Sequence, residues 1–445
     1  MTGETLKQIG WLAGLCACVL GALALTACAD EGPTEVGGVL IPDDLVRTYD
    51  IVLDASRFLE FDTAIGGFTR PWDTGFRIMA SAYEGSLDAR LLARFATPPK
   101  AVAYRDTNGN TRTDTMPTYM GGELVMWIDT LRTERSEPVL LRLYRIGEEW
   151  DPPSATWTHR VDTAGVREPW SEPGVALDAF VAEATWTADT DSVVFRVDSL
   201  TSALWADTLS DARGALIVAA TPGTRLRSNA MVFRFEARPS ERPDTTVFVT
   251  VSMEGSTFIL NPPPEVTGDI HVGGTPAWRT YLGFRPLASE VVPCPDGPAG
   301  CTIALRDIQV NYAALELDPL PVGGGYAPED SVLVEARYVL AVGAVPLARA
   351  PLGDRAGPLL RAVSGGRFAP EAPAGDKIEI PITSFVRQLV TTPREGDPDP
   401  ATVLALLSLP ENGTLGFARF AGPGGTGGGP RLRLVVTVAD EVNLR

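Results

Sequence analysis

KIEIPITSFVRQLV, Lys377–Val390, holds two periodicities in one short run. Ile378, Ile380 and Ile382 alternate on one face of an extended chain, the mark of a half-buried strand, and Phe385 and Leu389 then recur at helical spacing. Thr383 stands between the two, where a helix N-cap belongs. The same device occurs in FRVDSLTSALW, Phe195–Trp205, where a strand runs into Asp198 and Leu200 and Leu204 share a helical face. The offset is 380 minus 195, or 185 residues, and at that offset VFRF (Val232–Phe235) falls on FARF (Phe417–Phe420). TVFVTV (Thr246–Val251) likewise falls on RLRLVV (Arg431–Val436), a run that alternates Leu432, Leu434, Val436 and Val438. YEGSLDARLLARF (Tyr83–Phe95) and VGGTPAWRTYLGF (Val272–Phe284) have one length and share Gly, Arg and Phe. The repeat predicts two tandem all-β domains at 48–252 and 269–439, a Pro-rich linker at 253–268 that restricts their mutual angle, and a tail at 440–445.

Composition agrees with a globular all-β chain. The 445 residues exceed one ordinary core, and 44% apolar with 21% charged residues argues against disorder. The 44 Gly and 37 Pro residues favour short strands and tight turns. A net charge of -18, without any run of Lys or Arg, sets nucleic acid aside as a partner.

The N-terminus reads as a targeting segment. After Lys7 an apolar run from Trp11 to Leu25 is too short to span a bilayer and ends in Leu25-Thr26-Ala27-Cys28. This resembles the bacterial lipoprotein signal. The resemblance implies cleavage after residue 27, a diacylglyceryl thioether on Cys28, and a membrane anchor of several acyl chains, each buried CH2 adding ~0.8 kcal/mol. Ala29 after the cysteine resembles outer-membrane sorting signals of some bacteria. Residues 28–47 then form a polar tether, so the expected location is the cell envelope. Of five cysteines, Cys16 and Cys18 lie in the discarded segment, which leaves Cys294 and Cys301 in CPDGPAGC as a small disulfide loop suited to an oxidising compartment. A reactive dithiol lacks a cationic neighbour, and a metal site lacks further Cys or His ligands.

The order of landmarks carries a second resemblance: LLARF (Leu91–Phe95), LRLYRI (Leu141–Ile146), EEWDPPSATW (Glu148–Trp157), FRVDSLTSALW, GALIVA (Gly214–Ala219) and VFVTV. It is similar to the DNRLRE (disaggregatase-related) domain, with the second copy divergent. The resemblance implies jelly-roll-like β-sandwiches of secreted and surface proteins, some regarded as carbohydrate-binding modules. Where that family's corner tends to have Asn after Thr-Trp, this chain has Thr158.

Candidate chemistry is sparse. His159 and His271 are the two histidines, neither beside a nucleophile elbow, and they read as surface or packing residues. Trp150, Trp157, Glu149 and Asp151 suit a glycan surface, with indoles stacking on sugar rings and acids accepting hydroxyl hydrogen bonds. The same tryptophans equally suit a structural corner forced by Pro152 and Pro153. The second copy has no Trp from Ala341 to Gly375, so the domain can be built without this corner. Glu148, Glu149 and Asp151 also raise a carboxylate-dependent glycan-cleaving enzyme, which needs two acids facing across a bond. Asp106, Asn108, Asn110 and Asp114 in RDTNGNTRTDT space oxygens as a calcium loop does, although Gly109 comes early for an EF-hand and Pro117 stands where its closing Glu would be. An Asn-Gly hairpin is the competing reading. AGPGGTGGGP, Ala421–Pro430, lacks the Lys-Ser/Thr and helix of a phosphate loop and reads as a hairpin. The expectation is a non-enzymatic lipoprotein that needs no cofactor, beyond the calcium candidate. It binds polysaccharide at the envelope, or else acts as a structural or protein-interaction scaffold.

Overall fold

A computed structural model describes residues 46–439 apart from 134–137, 208–213, 264–267, 296–298, 329–330, 358–365, 369–376, 393–399 and 425–427. The expected signal segment, Cys28, nearly all of the tether and the tail at 440–445 lie outside the described residues.

The principal elements begin with β1 (Val46–Asp54), a helical turn α1 (Ala55–Phe58), β2 (Leu59–Gly66), β3 (Arg77–Tyr83), β4 (Leu87–Phe95), β5 (Thr118–Ile128) and β6 (Val139–Arg145). There follow β7 (Ser192–Val197), α2 (Ser199–Ala206), β8 (Ala215–Ala219), β9 (Thr224–Arg238), β10 (Val247–Val251) and β11 (Met253–Leu260). The chain continues with β12 (Ile270–Gly273), β13 (Trp278–Phe284), β14 (Gln309–Leu317), β15 (Val332–Val339) and β16 (Ile378–Pro381). It closes with α3 (Thr383–Val390), β17 (Val403–Leu409), β18 (Phe417–Phe420) and β19 (Arg431–Ala439).

These strands form two antiparallel sandwiches of the same plan. In the first, one sheet runs β7-β5-β9-β10 and the other contains β6-β8-β4-β11, with β3 between β4 and the first half of β9. In the second, β16-β14-β19-β1 faces β15-β17-β13-β2, with β12 between β13 and β18. The long strand β9 passes from one sheet to the other; in the second copy its counterpart is split into β18 and β19 by the Gly-rich run from Ala421 to Pro430.

The pairing redraws the boundaries expected from the repeat. Residues 46–66 belong to the second sandwich, because β1 pairs with β19 from Val46↔Ala439 to Asp54↔Arg431 and β2 pairs with β13. Conversely β11, placed in the expected linker, pairs with β4 and is an edge strand of the first sandwich. The shift has a packing reason: Ile51 and Leu53 of β1 are 4% and 1% exposed in the second core, whereas Ile259 of β11 is buried with Leu92, Tyr144 and Leu216 of the first sandwich. Each such side chain contributes ~1.5–3 kcal/mol by leaving water. The 185-residue offset drifts as well. FARF in β18 pairs with β12, as the first half of β9 pairs with β3, and RLRLVV in β19 lies beside β14, as the second half of β9 lies beside β5.

Local readings meet the structure more closely. Ile378, Ile380 and Ile382 all face the second core, as do Leu432, Leu434 and Val436. Asp198 caps α2, its carboxylate accepting from the Thr201 N–H at 2.8 Å and the Thr201 hydroxyl at 3.1 Å. Thr383 is not a cap: it is the first residue of α3, and its Oγ1 accepts from the Ala313 N–H of β14 at 3.0 Å, tying helix to sheet. Phe385 and Leu389 are buried, but Leu200 and Leu204 face solvent; α2 instead inserts Trp205 between Phe95 and Phe233. Cys294 and Cys301 are joined as a disulfide.

A third apolar cluster joins the sandwiches, with Phe76, Leu87 and Phe258 of the first meeting Tyr326, Leu415 and Phe417 of the second. The Tyr326 hydroxyl donates to the Asn261 carbonyl at 2.6 Å, and the Asn412 amide donates to the Asp73 carbonyl at 3.1 Å.

Candidate functional site

The EEWDPPSATW corner separates its own candidates. Trp150 is 3% exposed and packs with Leu92, Tyr144 and Trp170, while Arg94 lies over its ring at 5.1 Å and donates to its carbonyl. It is a core residue, not a sugar platform, because this excursion folds back over the outer face of a sheet and needs an apolar plug. Asp151 is spent internally: its carboxylate accepts from the Ser154 hydroxyl. Glu148 accepts from the Ser171 hydroxyl at 2.7 Å, and Glu149 is exposed with its carbonyl held by Arg160 at 2.6 Å.

Trp157 stands apart from these. It is half-buried, and the Arg90 guanidinium lies over its ring at 4.9 Å while donating to the carbonyls of Gly174 and Val175 at 2.5 and 2.8 Å. Gly174 has φ +82°, and any Cβ there would come within 2.8 Å of the indole. The ring is therefore fixed from two directions.

Trp157 lines a cleft of 680 Å³ between the sandwiches. The opposite side brings Trp278, at the start of β13, and His271 of β12. Trp278 lies opposite Gly66 in the β13–β2 ladder, and a Cβ on Gly66 would sit 3.0 Å from its Cε2, so the glycine leaves room for the indole to lie over β2. His271 is 5% exposed, edge-on to Trp278 at 5.6 Å and to Phe417 at 5.4 Å, with its Nε2 buried and unpartnered. Burial pushes its pKa down, Asp269 opposes that and Arg419 adds to it, so the ring is neutral near pH 7. Thr69, Arg70, Ser154, Thr156 and Thr158 supply the polar rim, and Ile259, Leu260 and Pro262 much of the apolar wall. Asp162 is the single carboxylate among the described lining residues and is paired with Arg167 at 3.2 Å. The facing acids that glycoside cleavage requires are not assembled in this cleft.

The calcium candidates do not converge. Asp106 turns its carboxylate onto the N–H groups of Asn108 and Asn110, both at 2.9 Å, and onto Arg112 at 3.1 Å; these bonds, Asn110 first, hold its pKa below the ordinary carboxylate value. Asp114, at the far end of the same hairpin, accepts from Met116 N–H at 3.0 Å and from the Ser240 N–H and hydroxyl at 2.5 and 3.0 Å. Asn108 and Asn110 are exposed, and no group of three metal-ligating side chains occurs among the described residues. The hairpin reading is the one observed. His159 is half-buried beside Thr158, whose Oγ1 lies 2.8 Å from Nδ1.

The sequence gives Trp278 no distinguishing mark and presents His271 as a surface or packing residue. Its one available signal was the Gly-Gly-Thr-Pro turn at 273–276 that separates them. No family model matches the chain, and no curated protein matches it. Among solved structures, one titled BspA_C_WT has 8% identity and a TM-score of 0.11 over 77% of this chain and 92% of its own. The Streptococcus agalactiae AgI/II polypeptide BspA C terminal domain (WT) has 10% identity and a TM-score of 0.10 over 89% and 92%. Likeness this slight carries no argument about function.

Proposed function

We propose that the protein is an exported, lipid-anchored envelope protein that binds a polysaccharide segment, without cleaving it, in the cleft between its two sandwiches. The observation that carries this reading is that two half-buried indoles from different sandwiches, Trp157 and Trp278, line one cleft of 680 Å³. That volume lies in the ~300–1,000 Å³ range of small-molecule sites, and an apolar wall with a hydroxyl rim matches the two faces of a sugar ring. The lipobox ending at Cys28 supports the anchor. From Cys28 to the first described strand, 18 residues (46 minus 28) reach at most ~60 Å when extended, and they lead into the second sandwich.

A glycan array followed by titration tests the reading. Trp157→Ala or Trp278→Ala, each still folded, should weaken a bound glycan about tenfold, ~1.4 kcal/mol. Silence across the array, or binding indifferent to both substitutions, refutes it and leaves the scaffold role. Unchanged polysaccharide length after long incubation is expected, and shortening would indicate an enzyme. Loss of membrane association in Cys28→Ser tests the anchor separately.

A further inference from the structure

The two sandwiches are closed by equivalent strand pairs that reach them from opposite directions. Beside β9 lies β10, in the register Ala237↔Val247; beside β19 lies β1, in the register Ala439↔Val46. Beside β4 lies β11, and beside β13 lies β2. Each pair thus supplies one edge strand to each sheet of its sandwich. In the first sandwich the pair follows β9 directly through residues 239–246. In the second it comes from the far end of the described chain.

The consequence lies in the connectivity. Residues 46–260 contain a strap for the second sandwich, residues 46–66, and the whole first sandwich; residues 269–439 contain the rest of the second, and the chain passes between these parts once, at 261–268. All the noncovalent closure of the second sandwich is made by a segment that this single joint holds in place. Its sequence begins Asn-Pro-Pro-Pro, a composition that favours an extended run over a tight return.

We infer that residues 269–439 form a strand-accepting site whose alternative occupant is the strap, residues 46–66, of a second copy of this chain. In the exchanged pair, residues 46–260 of each copy clasp residues 269–439 of the other. Every ladder pair, the shared cluster around Phe258 and Phe417 and the Asp50–Arg433 ion pair at 2.7 Å are kept; the two forms differ only in which copy supplies each strap. Exchange of this kind costs little, because the contacts are the same in both forms and concentration decides between them. Order of synthesis favours it, since the strap emerges first and must wait while the first sandwich is made.

Thr48 and Thr437 are register partners with their Oγ1 atoms 3.5 Å apart, and they provide the test. Full-length chains with Cys16, Cys18 and Cys28 replaced by serine and carrying Thr48→Cys and Thr437→Cys separately are unfolded together, with the Cys294–Cys301 disulfide left intact, refolded at high concentration and oxidised. The expected result is a mixed disulfide of twice the 47.4 kDa chain mass, absent when either variant is refolded alone. The doubly substituted chain, refolded dilute, should close within itself. If it does so while the mixture yields monomers alone, exchange between copies is overturned. If the double variant does not cross-link, the strap pairing on which the inference rests is itself overturned. Deleting Pro262 and Pro263, which shortens the return path, should shift the refolded chain toward the doubled mass.

Discussion

Val46 and Ala439 stand opposite one another at the end of the β1–β19 ladder, although 393 residues (439 minus 46) separate them in the chain. The second sandwich is therefore a long-range structure, completed by a strap that precedes the entire first sandwich. Its stability depends on residues whose sequence neighbours belong to the other fold unit.

Leu53→Ala tests that dependence. Leu53 is 1% exposed in the second core, and truncation there should cost ~2–5 kcal/mol. Hydrogen exchange should lose protection in 431–438 before 87–95. Equal loss in both segments would contradict the assignment of the strap to the second sandwich.

Gly66→Val probes the cleft from beneath. The added side chain meets the Trp278 ring at a position where a Cβ alone lies 3.0 Å away, so the indole must tilt. A shift in tryptophan fluorescence with the melting midpoint nearly unchanged is expected, because Gly66 is exposed at the end of β2. An unaltered spectrum would show that the ring does not rest on the strand.

Stability should depend on pH through His271. Burial holds its pKa in the fold below the ordinary ~6.5, with the Asp269–Arg419 ion pair at 2.7 Å as the charged neighbour. Between the folded value and ~6.5 the unfolded chain binds a proton that the folded chain does not, so stability falls as pH drops through this window. Thermal melts sampled about every half unit from about pH 7.5 to about pH 5 should show that decline, and His271→Gln should flatten it. A slope identical in both chains would place the titration elsewhere.

Asp198→Ala removes the cap of α2 and should cost ~0.5–2 kcal/mol, whereas calcium at millimolar levels should leave the melting midpoint where it is. The second outcome follows from Asp106 and Asp114 being occupied by N–H groups, Ser240 and Arg112. A calcium-dependent rise would mean that these carboxylates reorient.

Period-two alternation in KIEIPIT and RLRLVVTV determined strands and their buried faces without any tertiary information, since successive side chains must leave a strand on opposite sides. The recurrence of strand and helix at Asp198 and near Thr383 revealed two copies of one plan, and the Cys294–Cys301 spacing revealed the disulfide. What the tertiary structure alone decided is which edge each strand joins. Backbone N–H and C=O groups are the same along every edge, so Val46–Gly66 carries no local mark of the second sandwich, nor Met253–Leu260 of the first. The fate of the indoles was decided at the same level. Trp150 and Trp157 sit in one loop with similar neighbours, but the fold of that loop over the sheet buries the first and leaves the second lining the cleft that Trp278 also lines.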